Sequence, residues 1–231
     1  MSLIRRLANR SIHSLHGWVR RTGAIVPGTD LADRFGTFGA RSLINFPVAT
    51  LFGEAGIHIG EETLIGAHST LSVGHTPDDA HAPPRGLAIG DRCVIGARAI
   101  ITAHESIVIG DDVWFGQNVF VSDASHGYQD VETPIGLQLG WAHPVEIGAG
   151  SWIGHGVIVL PGARIGRNVV IGGGSVVRGV IPDHSVAVGV PAKVVRRLEP
   201  ELGWVSASDP SDVRPAWTAE QAARILYGEE E

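Results

Sequence analysis

Residues 147–176 read IGAGSW IGHGVI VLPGAR IGRNVV IGGGSV: five six-residue units, each opening on Ile or Val, four of them with glycine second. Upstream the unit recurs with openers at Ile59, Ile65, Ile89, Ile95, Ile109, Phe115 and Val121. The fifth positions hold Thr63, Ser69, Cys93, Ala99, Val113, Val119, Ser125, Ser151, Val157, Ala163, Val169 and Ser175, all small. A period of six fits neither an amphipathic helix nor an alternating strand, and it predicts a solenoid in which three hexads make one coil. In this reading the opener and the fifth residue point inward. The glycine turns the corner, where backbone freedom is needed.

Size and charge bound the rest. The 231 residues suit one elongated domain: an N-terminal helical or capping segment (1–56), the solenoid (57–198), and a C-terminal linker with a short helix (199–231). The 31 glycines are periodic, not the mark of disorder. A single cysteine excludes an internal disulfide and fits a reducing, cytoplasmic setting; Cys93 sits at an inward fifth position, which reads as packing. A net charge of −6 argues against a nucleic-acid partner. No run is long enough for a membrane span, and no signal peptide is evident.

The charge is segregated. Residues 1–22 carry Arg5, Arg6, Arg10, Arg20 and Arg21 with no acid in that stretch of sequence, whereas residues 199–231 carry eight acids against Arg214 and Arg224. Leu3, Ile4, Leu7, Leu15, Trp18 and Val19 mark one face of an N-terminal helix, expected to cap the solenoid or pack on a neighbouring subunit. Peripheral contact with an anionic membrane is the alternative. Two insertions break the repeat, His75–Gly86 and about Asp123–Pro144, and Thr102–Ser106 shifts its phase like a small bulge. Pro200–Pro215 reads as a linker, and Thr218 with Gln221 forms a capping box for a helix through Tyr227.

The runs Ile147-Gly148, Trp152-Ile153-Gly154, Leu160-Pro161-Gly162, Ile171-Gly172-Gly173-Gly174-Ser175-Val176-Val177 and Gly189-Val190-Pro191-Ala192-Lys193 resemble the hexapeptide-repeat acyltransferases, in particular their galactoside/maltose O-acetyltransferase-like branch. The resemblance covers roughly residues 57–198. It implies a left-handed parallel β-helix, acetyl-CoA as acyl donor, and a homotrimer with active sites between subunits. Apolar sixth positions, including Val94, Ile100, Trp114, Phe120, Trp152, Ile158, Val170 and Val176, independently call for burial between prisms.

Acyl transfer from a thioester needs a base for the attacking hydroxyl more than help for the leaving thiolate. Histidine suits that task near neutrality. His126 follows the hexad at Val121 just where the chain leaves the prism, and it matches the catalytic histidine of the family ahead of the return Pro144-Val145-Glu146-Ile147-Gly148. Asp123 reads as orienting that imidazole, as binding a sugar hydroxyl, or simply as a turn aspartate. His155 and Gly173 are eighteen residues apart, hence stacked on one corner, with Pro191 continuing the series; such a corner suits a thin pantetheine arm. The resemblance adds Gly173 and Arg178 as coenzyme contacts and Lys193 and Arg196 near its phosphates and adenine, although Gly179 stands where the family often has lysine. His68, where the family has an asparagine nearby, and Asn118 are candidate acceptor-binding residues. No metal is expected, since no histidine pair has the five-residue spacing of the zinc-dependent carbonic anhydrases built on this prism. The expected activity is O-acetylation of a sugar or glycoconjugate, with N-acylation of an amino sugar or antibiotic, or a non-catalytic scaffold, as alternatives.

Overall fold

The computed structural model describes residues 3–228. Three parallel walls coil left-handed around one core. The first wall stacks Thr37–Phe38, Ile57–Ile59, Leu87–Ile89, Ile107–Ile109, Val145–Ile147, Arg164–Ile165 and Val180–Ile181. The second stacks Leu43–Ile44, Leu64–Ile65, Val94–Ile95, Trp114–Phe115, Trp152–Ile153, Val170–Ile171 and Ser185–Gly189. The third stacks Thr50–Phe52, Thr70–Val73, Ile100–Ala103, Phe120–Ser122, Ile158–Val159 and Val176–Val177. Register is hexad on hexad: Trp114 pairs with Trp152, Ile109 with Ile147, and Val121 with Val159.

All twelve openers are buried, and so is every fifth residue except Ser125. Ser125 departs because the coil ends two residues earlier, at Asp123, and the chain swings outward. Two of the polar fifth residues bridge coils through their hydroxyls: Thr63 Oγ1 donates to Gly90 O (2.7 Å) and accepts from Cys93 N (3.0 Å), and Ser151 Oγ donates to Gly166 O (3.0 Å) while accepting from Val169 N (3.1 Å); Ser69 Oγ instead donates within its own coil to Gly66 O (2.8 Å). The buried corner groups are thereby satisfied. Cys93 is inert packing, its thiol pushed up to about 11 by burial.

The second-position glycines do not turn the corners as the pattern suggested. The left-handed φ falls at the fourth position, on Glu62, His68, Arg92, Arg98, Asp112, Asn118 and Asn168 and on Gly150, Gly156, Gly162 and Gly174. The second-position glycine is required by crowding. A Cβ on Gly116 would lie 2.5 Å from His155 N, and one on Gly154 would lie 2.6 Å from Gly173 N, both backbone atoms of the next coil. Strands stacked about 4.8 Å apart leave no room there.

Coiling begins at Thr37, one turn before the sequence pattern becomes regular at 57. That first coil hid because its opener is the aromatic Phe38 and its second unit, Ile44–Thr50, runs to seven residues. Its open end is covered by Ala24, Ile25, Ala32 and Phe35, with Phe35 edge-to-face on Phe38 at 5.2 Å. The helix α1 (Leu3–Gly23) therefore does not serve as the expected cap, and it buries no residue. At the other end Ser185–Gly189, Ala192–Glu199, Gly203–Ser206 and Val213–Arg214 form an antiparallel meander that extends the second wall. The expected linker is thus half strand, because Trp204 and Val205 find partners in Leu198 and Arg197. Helix α2 (Ala219–Tyr227) starts on the Thr218–Gln221 capping box.

Candidate active site

All three breaks in the repeat leave the same corner, where the third wall returns to the first. The segments 74–86, 104–106 and 123–144 exit after Thr70–Val73, Ile100–Ala103 and Phe120–Ser122, which are neighbours in that wall. Three consecutive coils thus send out their loops side by side. Between them lies a cavity of about 580 Å³ lined by His75, His104, His126, Phe120, Leu137 and Trp141, among others.

Asp123 organises this corner. It is fully buried; Oδ1 accepts from His104 N (2.8 Å), and Oδ2 accepts from Glu105 N (2.8 Å) and Ser106 N (2.7 Å). Three amides converging on one carboxylate make strong, charge-assisted bonds. Its own carbonyl accepts from His143 N (2.7 Å), so the same residue clamps the returning end of the long loop. The imidazole it meets is that of His104, with Nδ1 3.7 Å from Oδ1. Of the three readings of Asp123, the turn aspartate describes its contacts, with the turn belonging to the coil below.

His104 and His75 are the residues that the sequence reading missed. Their rings lie 4.5 Å apart, and His104 Nδ1 is buried with no hydrogen-bond partner. Burial first, and then the neighbouring His75, hold the His104 pKa below the usual 6.5, so its imidazole is neutral at pH 7. The available signal was the two-residue phase slip at Thr102–Ser106: an irregularity on the same corner as two insertions. His126 is exposed beside the cavity, its loop pinned at the base by Ser125 N donating to Trp141 O (3.1 Å).

The other candidates gather on a different corner, between the second and third walls. His68, Arg98 and Asn118 take the left-handed corner position of successive coils. Arg98 Nε donates to Asn118 Oδ1 (2.7 Å), and Asn118 Nδ2 lies 3.4 Å from His155 Nε2. Gly174 N donates to His155 O (2.9 Å), stacking His155 and Gly173 as the eighteen-residue spacing requires. A Cβ on Gly173 would come 3.1 Å from that same oxygen. Pro191 leaves the series, because the chain reverses there between Gly189 and Ala192. Arg178 does not join them: it is exposed where the third wall returns to the first, on the corner that the loops leave, and Lys193 is exposed on the hairpin. Arg196 is otherwise occupied: it is ion-paired with Asp212, donates to Trp204 O (3.2 Å), and its side chain is only 13% exposed. A phosphate contact from Arg196 would leave Asp212 uncompensated.

In one chain the two corners are held apart by a wall. The five steps from Asn118 to Asp123 span roughly 17 Å in extended conformation. Among the described residues, no three His, Cys, Asp or Glu side chains are grouped as metal ligands would be.

Two family models match the coils: bacterial transferase hexapeptide (six repeats) over residues 144–179, and hexapeptide repeat of succinyl-transferase over 86–123. A probable acetyltransferase of Mycobacterium tuberculosis is 38% identical over 152 residues, 66% of this chain and 45% of that protein. The galactoside O-acetyltransferase of Lactococcus lactis is 45% identical over 90 residues, 39% of this chain and 42% of that protein. The chain spans about half the length of the curated relatives it matches. In fold it is similar to an N-acyltransferase from Bacillus cereus solved with dTDP and coenzyme A, with a TM-score of 0.61 at 19% identity over 75% of this chain and 91% of that one. Repeat matches on both sides of the long loop show that the coils carry the hexapeptide repeats of bacterial transferases, and the relatives named as acetyltransferases include a galactoside O-acetyltransferase.

Proposed function

We propose that this chain is an acetyl-CoA-dependent O-acetyltransferase acting on a sugar, a glycoconjugate or a similar small hydroxylated acceptor. The observation that carries the reading is the single corner at which three successive coils aim three histidines at one cavity. His126 is the general base. It takes the proton of the acceptor hydroxyl as oxygen attacks the thioester carbonyl; the tetrahedral intermediate then collapses, the C–S bond breaks, and the proton passes to the leaving thiolate. No covalent enzyme intermediate is needed, and the buried Cys93 is unsuited to one. His104, neutral and beside the same cavity, positions the acceptor.

The corner carrying Asn118, His155 and Gly173 receives the pantetheine arm, with Lys193 toward its phosphates and Arg178, which shares the corner of His126, reaching them from the neighbouring copy. Because one chain separates this corner from His126, a working site combines the two from neighbouring copies. The outer faces support that arrangement: Trp114 and Trp152 stack in register at 58% and 56% exposed, with Ile100 and Ile158 on the adjoining wall. A homotrimer buries these ridges and forms three sites. The test is thiol release from acetyl-CoA against a panel of saccharides and amines. His126→Ala is expected to lower turnover about a hundredfold or more in a folded protein. Near-normal turnover in that variant ends the assignment, and release with amines alone makes the enzyme an N-acyltransferase.

A further inference from the structure

Helix α1 has no function in the fold as described. It runs for 21 residues and buries none of them, although Gly17, Arg20 and Arg21 share a groove with Leu43 and Asn45 of the first coil. Its surface is nonetheless divided sharply. At 100° per residue, Leu7, Trp18, Ile4, Leu15, Val19 and Ile12 fall in one arc, while Arg5, His16, Arg20, His13, Arg6 and Arg10 fill the opposite one. Ile4, Ile12 and Leu15 are each at least 60% exposed, so the apolar arc lies open along a helix about 30 Å long. No acidic residue occurs in the segment.

We propose that α1 is a docking element for an anionic membrane surface. A basic arc opposite a Leu/Ile/Trp arc is the arrangement of a helix lying in the plane of a bilayer interface, with its side chains reaching acyl chains on one face and acidic headgroups on the other. No helix among the described residues is long and apolar enough to cross a membrane, so contact is peripheral. Charge complementarity chooses the occupant. Pairing α1 with a second α1 would seal the apolar arcs but gather two basic helices without a compensating acid. The acids that follow the last coil, Glu199, Glu201, Asp209 and Asp212, belong to the meander that extends the second wall past Ser185–Gly189, a strand that itself lies six strand spacings, or about 29 Å, from Leu43–Ile44.

The experiment is flotation of the full chain with phosphatidylcholine vesicles and with vesicles carrying about one third phosphatidylglycerol. Wild-type protein should float with the anionic vesicles only, and added salt should reduce the fraction bound. Replacing Arg6, Arg10 and Arg20 with Gln should lower partitioning about a hundredfold, roughly fivefold for each arginine. Leu7→Glu with Leu15→Glu should abolish flotation with thermal unfolding unchanged, since neither residue is buried. The proposal is overturned if wild type and the Leu7/Leu15 variant partition equally, if neither vesicle binds, or if the same substitutions instead dissolve a larger assembly in vesicle-free light scattering. Turnover with a soluble acceptor is measured alongside and should not respond to these substitutions, so failure of the membrane proposal and failure of the transferase reading are separable.

Discussion

Substituting Asp123 by Ala separates the two roles that a loop aspartate beside a catalytic histidine can have. The carboxylate accepts three backbone amides from the adjacent coil at 2.7–2.8 Å, and it is completely buried. Hydrogen bonds to a charged group contribute about 1.5–3 kcal/mol each, and an abandoned amide costs about 1–3 kcal/mol. Because the three donors are only partly buried, water recovers some of this, and about 4 kcal/mol is the expected loss for Asp123→Ala. For a chain of this size that corresponds to a fall of roughly 8–16 °C in the unfolding midpoint. Asp123→Asn should fall between, since one oxygen remains while the amide nitrogen meets N–H donors. Urea and thermal unfolding are measured on both variants together with turnover at a temperature where each is folded. An unchanged midpoint with turnover abolished would refute the staple and return Asp123 to the chemistry of His126.

Three further outcomes are expected. His104 is held neutral in the fold, with its pKa below the unfolded value near 6.5, so the unfolded chain binds more protons at mildly acid pH. Its contribution to stability is therefore intact above about 6.5 and is lost as pH falls through the depressed folded value; urea midpoints at several pH values should show this slope, and His104→Gln should flatten it. Gly116→Ala, which drives a Cβ to 2.5 Å from His155 N, should cost about 3 kcal/mol, whereas Gly156→Ala, with φ +67 and nothing within 4 Å, should cost only about 1–2 kcal/mol; equal costs by urea unfolding would contradict the crowding account. Refolding a mixture of two inactive chains, His126→Ala and a variant with a bulky residue at Gly173, should restore about a quarter of the sites if each site is shared between copies. Recovery of none would place both corners in one subunit.

The coil was legible because a solenoid repeats its own contacts. Each opener and fifth residue meets the equivalent residue of the next coil, so Ile109, Ile147 and Ile165 report one environment three times over. The same redundancy hid the first coil, where Phe38 and the seven-residue unit at Ile44 broke the rhythm without breaking the wall. The corner roles were misread for a related reason: both the second and the fourth positions favour glycine, one for close approach of coils and one for a left-handed φ, and only the backbone separates these demands.

Sequence by itself determined the period, the inward positions, the insertions and the histidine at the end of a rung. Tertiary structure alone decided which breaks share a corner, and so brought His75 and His104 beside His126, turned Asp123 toward three amides, paired Arg196 with Asp212, and left α1 without a buried residue. The physical reason is that periodic packing is written locally, one hexad at a time. The company a loop side chain keeps depends instead on how whole coils and strands stack, which brings together residues separated by 16 or more positions in the chain.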